Sequence, residues 1–132
     1  MKLLLDTNIC IALIRHQPEA LIQRLTAEPP GDVGISAITL AELAHGAEKS
    51  ARPDQNRSAL VQFLLPLEVA AFDHTAAHAF GRIRAYLERT GQRIGAMDLL
   101  IAAHALGLET TLVTNNRREF QRVPGLRVED WL

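Results

Sequence analysis

The sequence predicts an α/β fold: a three-layer sandwich with a mostly parallel central sheet of four to five strands. Two observations lead to this prediction. Short apolar runs, each long enough for one buried strand, alternate along the chain with longer stretches of helical periodicity. Strands that alternate with helices generally form a parallel sheet whose two faces are both covered by helices.

Four short segments are predicted to be strands, and a fifth segment is compatible with one. The first is an apolar run that ends at Asp6-Thr7-Asn8, and the second follows the turn Pro29-Pro30-Gly31-Asp32. In chain order, the predicted strands cover residues 2–5, 33–36, 67–70, 111–114 and, as the optional fifth, 126–128.

Six helices are predicted between these strands. Ser36 or Thr39 can cap the third helix, and Asp73 or Thr75 can cap the fifth, because short oxygen-bearing side chains accept from free N–H groups at helix starts. Pro18 suits the first turn of the second helix. In chain order, the predicted helices cover residues 8–15, 18–28, the segment after the Ser36 or Thr39 cap, 53–65, the segment from the Asp73 or Thr75 cap to Thr90-Gly91, and 97–106.

The last two of these helices have contrasting patterns. The fifth is amphipathic, with apolar residues at i, i+3, i+4 and i+7 spacing, namely Ala76, Ala79, Phe80, Ile83 and Leu87. The sixth, residues 97–106, is apolar almost all round, which predicts a buried helix, and Gly107 is predicted to end it.

Length and composition predict one globular domain over residues 1–132. Hydrophobic residues make up 48% of the chain and charged residues 22%, which excludes an intrinsically disordered protein. The single cysteine, Cys10, cannot form an internal disulfide and is read as a small core residue. The apolar runs are too short to cross a bilayer, and Asp6 interrupts the N-terminal run before a signal core forms. We therefore expect a cytoplasmic protein without membrane association.

The net charge and the choice of basic residue indicate different things about nucleic-acid binding. A net charge of −1 provides no general attraction to a phosphate backbone. Arginine, however, supplies 12 of the 14 basic residues, and its planar guanidinium suits phosphate contacts. A genome rich in G and C explains the same bias equally well, so the composition leaves both explanations open.

Polar residues at predicted strand ends give the first indication of a site. Asp6 follows the first strand and Thr114-Asn115-Asn116 ends the fourth, and ligands of parallel sheets bind beyond the carboxyl ends of strands. Each residue also has a plain structural reading. Asp6 can be a helix cap, and Glu42 can be an ordinary glutamate on the polar face of its helix.

Asp98 is harder to explain structurally. It opens a helix whose next eight residues contain one polar side chain, His104, and a carboxylate there needs partners. The helix N-terminus supplies some of them through its free N–H groups, and a metal ion could supply the rest. His104 itself is better read as a hydrogen-bonded core histidine than as a metal ligand.

The order of four motifs carries a family resemblance. The motifs are Leu5-Asp6-Thr7-Asn8, Ala41-Glu42-Leu43, Gly95-Ala96-Met97-Asp98 and Val113-Thr114-Asn115-Asn116. With this order and spacing, residues 2–131 resemble the PIN-domain ribonucleases, and among them the bacterial VapC toxins.

The resemblance implies the residues of a metal-dependent active site. Asp6, Glu42 and Asp98 would bind Mg²⁺, with Mn²⁺ able to substitute, and would act together with Asn116 in catalysis. Many PIN domains carry a fourth acid at the position of Asn116, which puts a fully occupied second metal site in doubt. Supporting hydroxyl and amide groups would come from Thr7, Asn8 and Thr114.

The resemblance also implies a substrate and partners. The expected activity is that of an endoribonuclease toxin that inhibits translation by cutting a tRNA anticodon loop, initiator tRNA first. The expected partners are a VapB-type antitoxin, a second copy of the chain in a homodimer, and a higher assembly with the antitoxin. Five arginines are candidate phosphate contacts or, equally, ordinary surface residues: Arg15, Arg52, Arg93, Arg117 and Arg118.

Other functions are weighed against this one. A non-catalytic PIN-like scaffold that binds RNA or a partner predicts damaged acids, whereas all three are present. A phosphatase of the haloacid dehalogenase type needs an aspartate where this chain has Asn8. A receiver domain needs a lysine after a late strand, and the two lysines are Lys2 and Lys49. A purely structural α/β domain leaves the ordered motifs unexplained.

Overall fold

A computed structural model of the chain describes all 132 residues and contains one sheet of five parallel strands. The spatial order of the strands is β3-β2-β1-β4-β5. Their bounds are β1 (Leu3–Leu5), β2 (Val33–Ser36), β3 (Glu68–Ala70), β4 (Thr111–Val113) and β5 (Val128–Glu129). The prediction of an α/β fold with a mostly parallel sheet of four to five strands is confirmed, and every strand pair is parallel.

Seven helices surround the sheet, of which six match the predicted ones. The seventh, α7, was not predicted, because four residues are too few to show a helical period. The helices are α1 (Thr7–Ile14), α2 (Glu19–Thr26), α3 (Ala37–Glu48), α4 (Pro53–Leu64), α5 (His74–Arg89), α6 (Ala96–Leu108) and α7 (Arg117–Phe120).

The core consists of two hydrophobic clusters, one on each face of the sheet. Successive side chains of a strand point to opposite faces, so Leu4 of β1 joins one cluster while Leu3 and Leu5 join the other. The Leu4 cluster contains buried residues of α5, α6 and α7, and the second cluster contains residues of α1 to α4. Because β1 lies at the centre of the sheet, it is buried on both faces.

The parallel register brings three chain segments to one edge of the sheet. Leu5 at the end of β1 is level with Ile35 in β2 and with Val113 in β4. The next residues along the three segments, Asp6, Ser36 and Thr114, therefore occupy neighbouring positions at this edge. No helix of the structure is both long enough and apolar enough to span a bilayer.

The capping residues select between the alternatives that the sequence left open. Ser36 caps α3, because its hydroxyl accepts from the Ile38 N–H at 3.0 Å. Asp73 caps α5 by accepting from the Ala76 N–H, also at 3.0 Å. Pro18 lies at the N-cap of α2, one position before the first turn.

The prediction that Gly107 ends the buried helix is wrong. Helix α6 continues through Gly107 to Leu108, and Glu109 ends it in the left-handed conformation with φ of 56°. The reason for the glycine is close packing: a Cβ atom at position 107 would lie 3.2 Å from both the Cα and the N atom of Ala76 in α5. Gly107 therefore sets the distance between α5 and α6.

This packing gives a stability prediction. Gly107→Ala should lower the free energy of unfolding by about 1–3 kcal/mol, because backbone atoms of α5 must move to admit the methyl group. Gly81→Ala is the matched control, since Gly81 is also helical and a Cβ there meets no atom within 4 Å. The control should be neutral or stabilising by about 0.5–1 kcal/mol. Urea unfolding of both variants is the measurement, and equal effects would contradict the packing explanation.

Candidate active site

Asp6 lies directly after β1 and is the most enclosed carboxylate of the site, with 4% of its surface exposed. Its Oδ1 atom accepts from the Ile9 N–H at 2.9 Å and so caps α1, while its Oδ2 atom accepts from the Thr114 hydroxyl. Burial raises the pKa of Asp6, and the hydrogen bonds from Thr114 and the α1 backbone partly offset that rise. Asp6 therefore caps α1 and also lies near a second acid, Glu42.

Glu42 is held over the start of α1 from the neighbouring helix α3. The Thr7 hydroxyl lies 2.6 Å from Oε1 of Glu42 and 3.2 Å from the hydroxyl of Thr39. Thr39 is fully buried and Glu42 is half-buried. Glu42 is thus a fixed carboxylate and not a freely solvated one, which periodicity alone did not show.

Asp98 lies in the first turn of α6, half-buried, and joins the other acids. Its pKa is raised to about 7, first because burial disfavours the charge, then because it shares a hydrogen bond with the Glu119 carboxyl group. The negative charges of Glu119, Asp6 and Glu42 raise the pKa further. The structure therefore brings together the three acids singled out from the sequence.

Glu119 is a fourth acid of this group that the sequence reasoning missed. It lies in α7, close enough to Asp98 to be, after burial, the largest cause of the raised pKa of Asp98. In the sequence it stands in an unremarkable Arg-Arg-Glu-Phe stretch. The available signal was its position three residues after Asn116, which is about one helical turn.

Asn116 reaches the site through its neighbours. Its backbone N–H donates to the Thr114 hydroxyl at 2.9 Å, and its side-chain amide donates to Oε2 of Glu119 at 3.4 Å. Thr114 in turn donates to Asp6. A chain of hydrogen bonds therefore connects the end of β4 with two of the carboxylates.

A cavity of about 890 Å³ opens beside these acids. Five of the residues singled out from the sequence line it: Asp6, Thr7, Asn8, Glu42 and Asp98. Thr114 and Asn116 do not line it. Among the five arginines named as phosphate contacts, only Arg15 lines the cavity, and His45 and Lys49, which the sequence did not single out, line it too.

The donor set fits a hard divalent cation. All four acids offer carboxylate oxygens, and converging negative charges that raise the pKa of Asp98 are relieved when a cation lies among them. As the side chains lie, no three acidic, histidine or cysteine residues are grouped tightly enough to hold an ion on their own. Waters and substrate oxygens commonly complete the shell of Mg²⁺, so a full protein cage is not required.

His104 is a core residue, as the sequence favoured. Its Nδ1 atom lies 2.6 Å from the hydroxyl of Ser36, and the ring packs edge-on against Phe72. Burial lowers the pKa of His104, so the neutral ring is favoured inside the protein. The contact joins α6, which carries Asp98, to the start of α3, which carries Glu42.

Comparison with known proteins agrees with this geometry. Residues 3–126 match the PIN domain. The chain is 44% identical over 131 residues to the tRNA(fMet)-specific endonuclease VapC of Shigella flexneri, which covers 99% of this chain and 98% of that protein. This chain belongs to the PIN-domain family, among the VapC ribonucleases. It is therefore an endoribonuclease, a hydrolase of RNA phosphodiester bonds.

Two solved structures of VapBC proteins share the fold over the whole chain. DNA-bound VapBC from Salmonella typhimurium superposes with a TM-score of 0.96 at 45% identity, covering 100% of this chain and 99% of the other. VapBC2 from Rickettsia felis, bound to a promoter DNA fragment, gives 0.94 at 42% identity with full coverage of both chains. PIN-domain nucleases generally depend on divalent metal ions, which agrees with the acidic donor set.

The raised pKa of Asp98 predicts how stability depends on pH without metal. The unfolded carboxyl group titrates near 3.8 and the folded one near 7, so the folded state binds more protons between these values. The free energy of unfolding should therefore fall as pH rises from about 4 to about 7. Asp98→Asn should weaken that dependence. The measurement is chemical unfolding in a chelator at several pH values, and an equal slope in both proteins would contradict the assignment.

Proposed function

We propose that this chain is the toxin of a VapBC pair and that it cuts tRNA once in the anticodon loop, with initiator tRNA as the preferred substrate. The observation that carries the proposal is the group of four carboxylates at the carboxyl end of a parallel sheet, beside a cavity large enough for an RNA segment. The tRNA(fMet)-specific names of its relatives in Shigella flexneri and Salmonella typhimurium support the choice of substrate.

Asp6, Glu42 and Asp98 are proposed as the metal ligands, with Mg²⁺ as the ion and Mn²⁺ as a substitute. When bound, such an ion lowers the pKa of a water and polarises the phosphoryl oxygen. Thr114 and Thr7 orient the first two carboxylates, since each donates a hydroxyl proton to one of them. Fixed carboxylates reduce the reorganisation that metal and substrate binding require.

Asn116 and Glu119 are proposed as the second half of the site. Glu119 lies close to Asp98 and its negative charge adds to the rise in the pKa of Asp98, so a cation bound beside the two carboxylates would relieve that repulsion. Asn116 orients Glu119 through its side-chain amide, and a neutral amide oxygen remains available to a water or a weakly held ion. Asn8, exposed at the rim of the cavity, can contact the substrate directly.

Recognition of a structured loop agrees with the charge of the chain. Non-specific RNA binding depends mainly on neutralising phosphates, and a protein of net charge −1 gains little from that term. Selective RNA recognition instead uses exposed bases and the shape of loops. A cleavage site in tRNA also places the protein in the cytoplasm, where translation takes place.

The proposed partner is a VapB-type antitoxin, because the solved relatives are VapBC complexes. An antitoxin segment that inhibits the enzyme has to cover the cavity beside the carboxylates, and a cationic side chain would be attracted to them. A homodimer of the chain, and a larger assembly with the antitoxin, complete the proposal. The alternative of a non-catalytic scaffold needs the same surface but has no use for buried, mutually repelling acids.

Neutral variants of the acids test the catalytic proposal. Asp6→Asn, Glu42→Gln and Asp98→Asn should each reduce the rate of RNA cleavage by more than about 100-fold, because a neutral amide is a much weaker metal ligand. Asp32→Asn is the matched control, since Asp32 lies at the opposite edge of the sheet beside Lys2. Circular dichroism checks folding. Wild-type cleavage by Glu42→Gln would remove Glu42 from the proposed ligands.

The substrate is tested on total bacterial RNA. Purified protein, free of antitoxin and supplied with Mg²⁺ in moderate salt, should cut one or a few tRNA species in the anticodon loop. Sequencing of the new RNA ends is the measurement, with Asp6→Asn as the inactive control. Broad degradation of single-stranded RNA would retain the ribonuclease and contradict the tRNA preference. Intact RNA after incubation with folded, metal-loaded protein would favour the scaffold.

A further inference from the structure

The cavity beside the acids continues as a groove between α1, α3 and α4, and its charge changes along its length. Helix α1 runs from Asp6 at its N-cap to Arg15 at its C-cap. Helix α3 carries Glu42 and ends at Lys49, its C-cap residue. At a rise of about 1.5 Å per residue, the basic end lies roughly 10–14 Å along these helices from the carboxylates.

The basic end of the groove is equipped with several hydrogen-bond donors. Arg15 and Lys49 line it together with Ser50 and Asn56, whose side chains hydrogen-bond to each other at 2.8 Å. Both basic side chains are exposed, and neither forms an ion pair.

The nearby Arg57, unlike Arg15 and Lys49, is paired with acidic side chains. Its guanidinium group lies 2.6 Å from Glu48 and 2.6 Å from Asp54, so its charge is neutralised within the protein. The groove therefore keeps two unneutralised cations at the end opposite the acids, in a chain whose net charge is −1.

We propose that this basic end, formed by Arg15 and Lys49, binds a backbone phosphate of the RNA one or two nucleotides away from the phosphate that is cut. The proposal rests on the ribonuclease function proposed above and adds the path of the strand. A phosphate held there fixes where along the strand the carboxylates act. Such contacts carry no base specificity and instead set register and orientation.

The size of the groove agrees with an extended ligand. Its volume of about 890 Å³ lies near the upper end of the roughly 300–1,000 Å³ that is usual for pockets that hold whole small molecules. A metal ion with one phosphate group fills only the acidic end. A strand that runs from Asp98 and Glu42 to Lys49 meets acids at one end of the groove and a cation at the other. A metal ion held by the acids would contact the scissile phosphate, and the basic end would bind the neighbouring phosphate directly.

A structural explanation for the same two cations exists and makes different predictions. Basic residues at helix C-termini interact favourably with the helix dipole, and Arg15 and Lys49 are both C-cap residues. If that were their whole role, neutralising them would lower stability and leave the salt dependence of RNA binding unchanged. The proposed phosphate contact predicts the opposite result: the salt dependence of RNA binding changes, and the stability of the fold is largely retained.

Equilibrium binding separates the two explanations. The probe is a labelled RNA stem-loop with the initiator tRNA anticodon loop, and the protein carries Asp98→Asn so that the RNA stays intact. Arg15→Gln/Lys49→Gln should bind at least about tenfold more weakly and reduce the slope of log K against log salt by about 1, the change expected for one phosphate contact. The matched control is Arg82→Gln/Arg89→Gln, which removes two exposed, unpaired arginines from α5, one of them in its last turn.

A chemical substitution in the RNA identifies the phosphate itself. Single phosphates around the cut are replaced by uncharged methylphosphonates, and kcat/KM is measured for the active wild type and for active Arg15→Gln/Lys49→Gln. The wild type should lose rate at one position beyond the scissile phosphate, and the double variant should be insensitive at that position. Coupling of this kind requires a contact between the groove and that phosphate and is not produced by a change in stability.

The outcomes for this inference and for the proposed function can be told apart. Normal cleavage with an unchanged salt slope and an unchanged methylphosphonate profile in the double variant overturns the inference alone. An equal loss in the α5 control also overturns it. Absence of cleavage together with a reduced slope only in the Arg15 and Lys49 variant overturns the nuclease and supports the binding site. Failure of the stem-loop to bind at low salt overturns both.

Discussion

The burial of one carboxylate, that of Asp6, constrains most of this structure. It lies at the end of the central strand, where two oxygens without partners would be costly. One oxygen accepts from the start of α1 and the other from Thr114 after β4. A single side chain therefore ties the centre of the sheet to its neighbour strand and fixes the direction in which α1 leaves it. The groove follows α1, so the position of Arg15 also depends on this bond pattern.

The acids that gather around Asp6 oppose the stability of the fold. The pKa of Asp98 is raised to about 7, first by burial and then by Glu119 and the charges of Asp6 and Glu42, because four carboxylates in a partly buried place cannot all be charged at little cost. The close packing of α5 on α6 at Gly107 and the buried pair of His104 and Ser36 hold the helices in place against this repulsion. A divalent cation bound among the carboxylates would neutralise their repulsion, whereas packing only withstands it. The same energy that destabilises the metal-free protein therefore favours metal binding.

The fold could be predicted almost completely from the sequence, because each buried strand and helix has its own periodicity. Asp6 and Asp98 were visible for physical reasons: one ends a buried strand, and the other opens a helix with almost no other polar residue. Glu42 could not be recognised in this way, because the periodicity of its helix places it on a polar face, and only the family resemblance identified it. Glu119 escaped notice because α7 is too short for a pattern, and Gly107 was misread because a packing contact is not a local property.

The net charge of −1 describes the whole surface, and the charge beside the acids differs from it because charges are unevenly distributed and many are paired. Arg24, Arg57 and Arg84 contact carboxylates, so they add little to the field that a ligand meets. Of the arginines named from the sequence, only Arg15 lines the groove, while Lys49, one of just two lysines, stands opposite it on α3. What a polyanion experiences is the set of unpaired cations near the catalytic acids. The positions of these cations are fixed by the ends of two helices, α1 and α3. An RNA strand held both by these cations and by a metal ion on the acids can be cut at only a few positions relative to the bound phosphate.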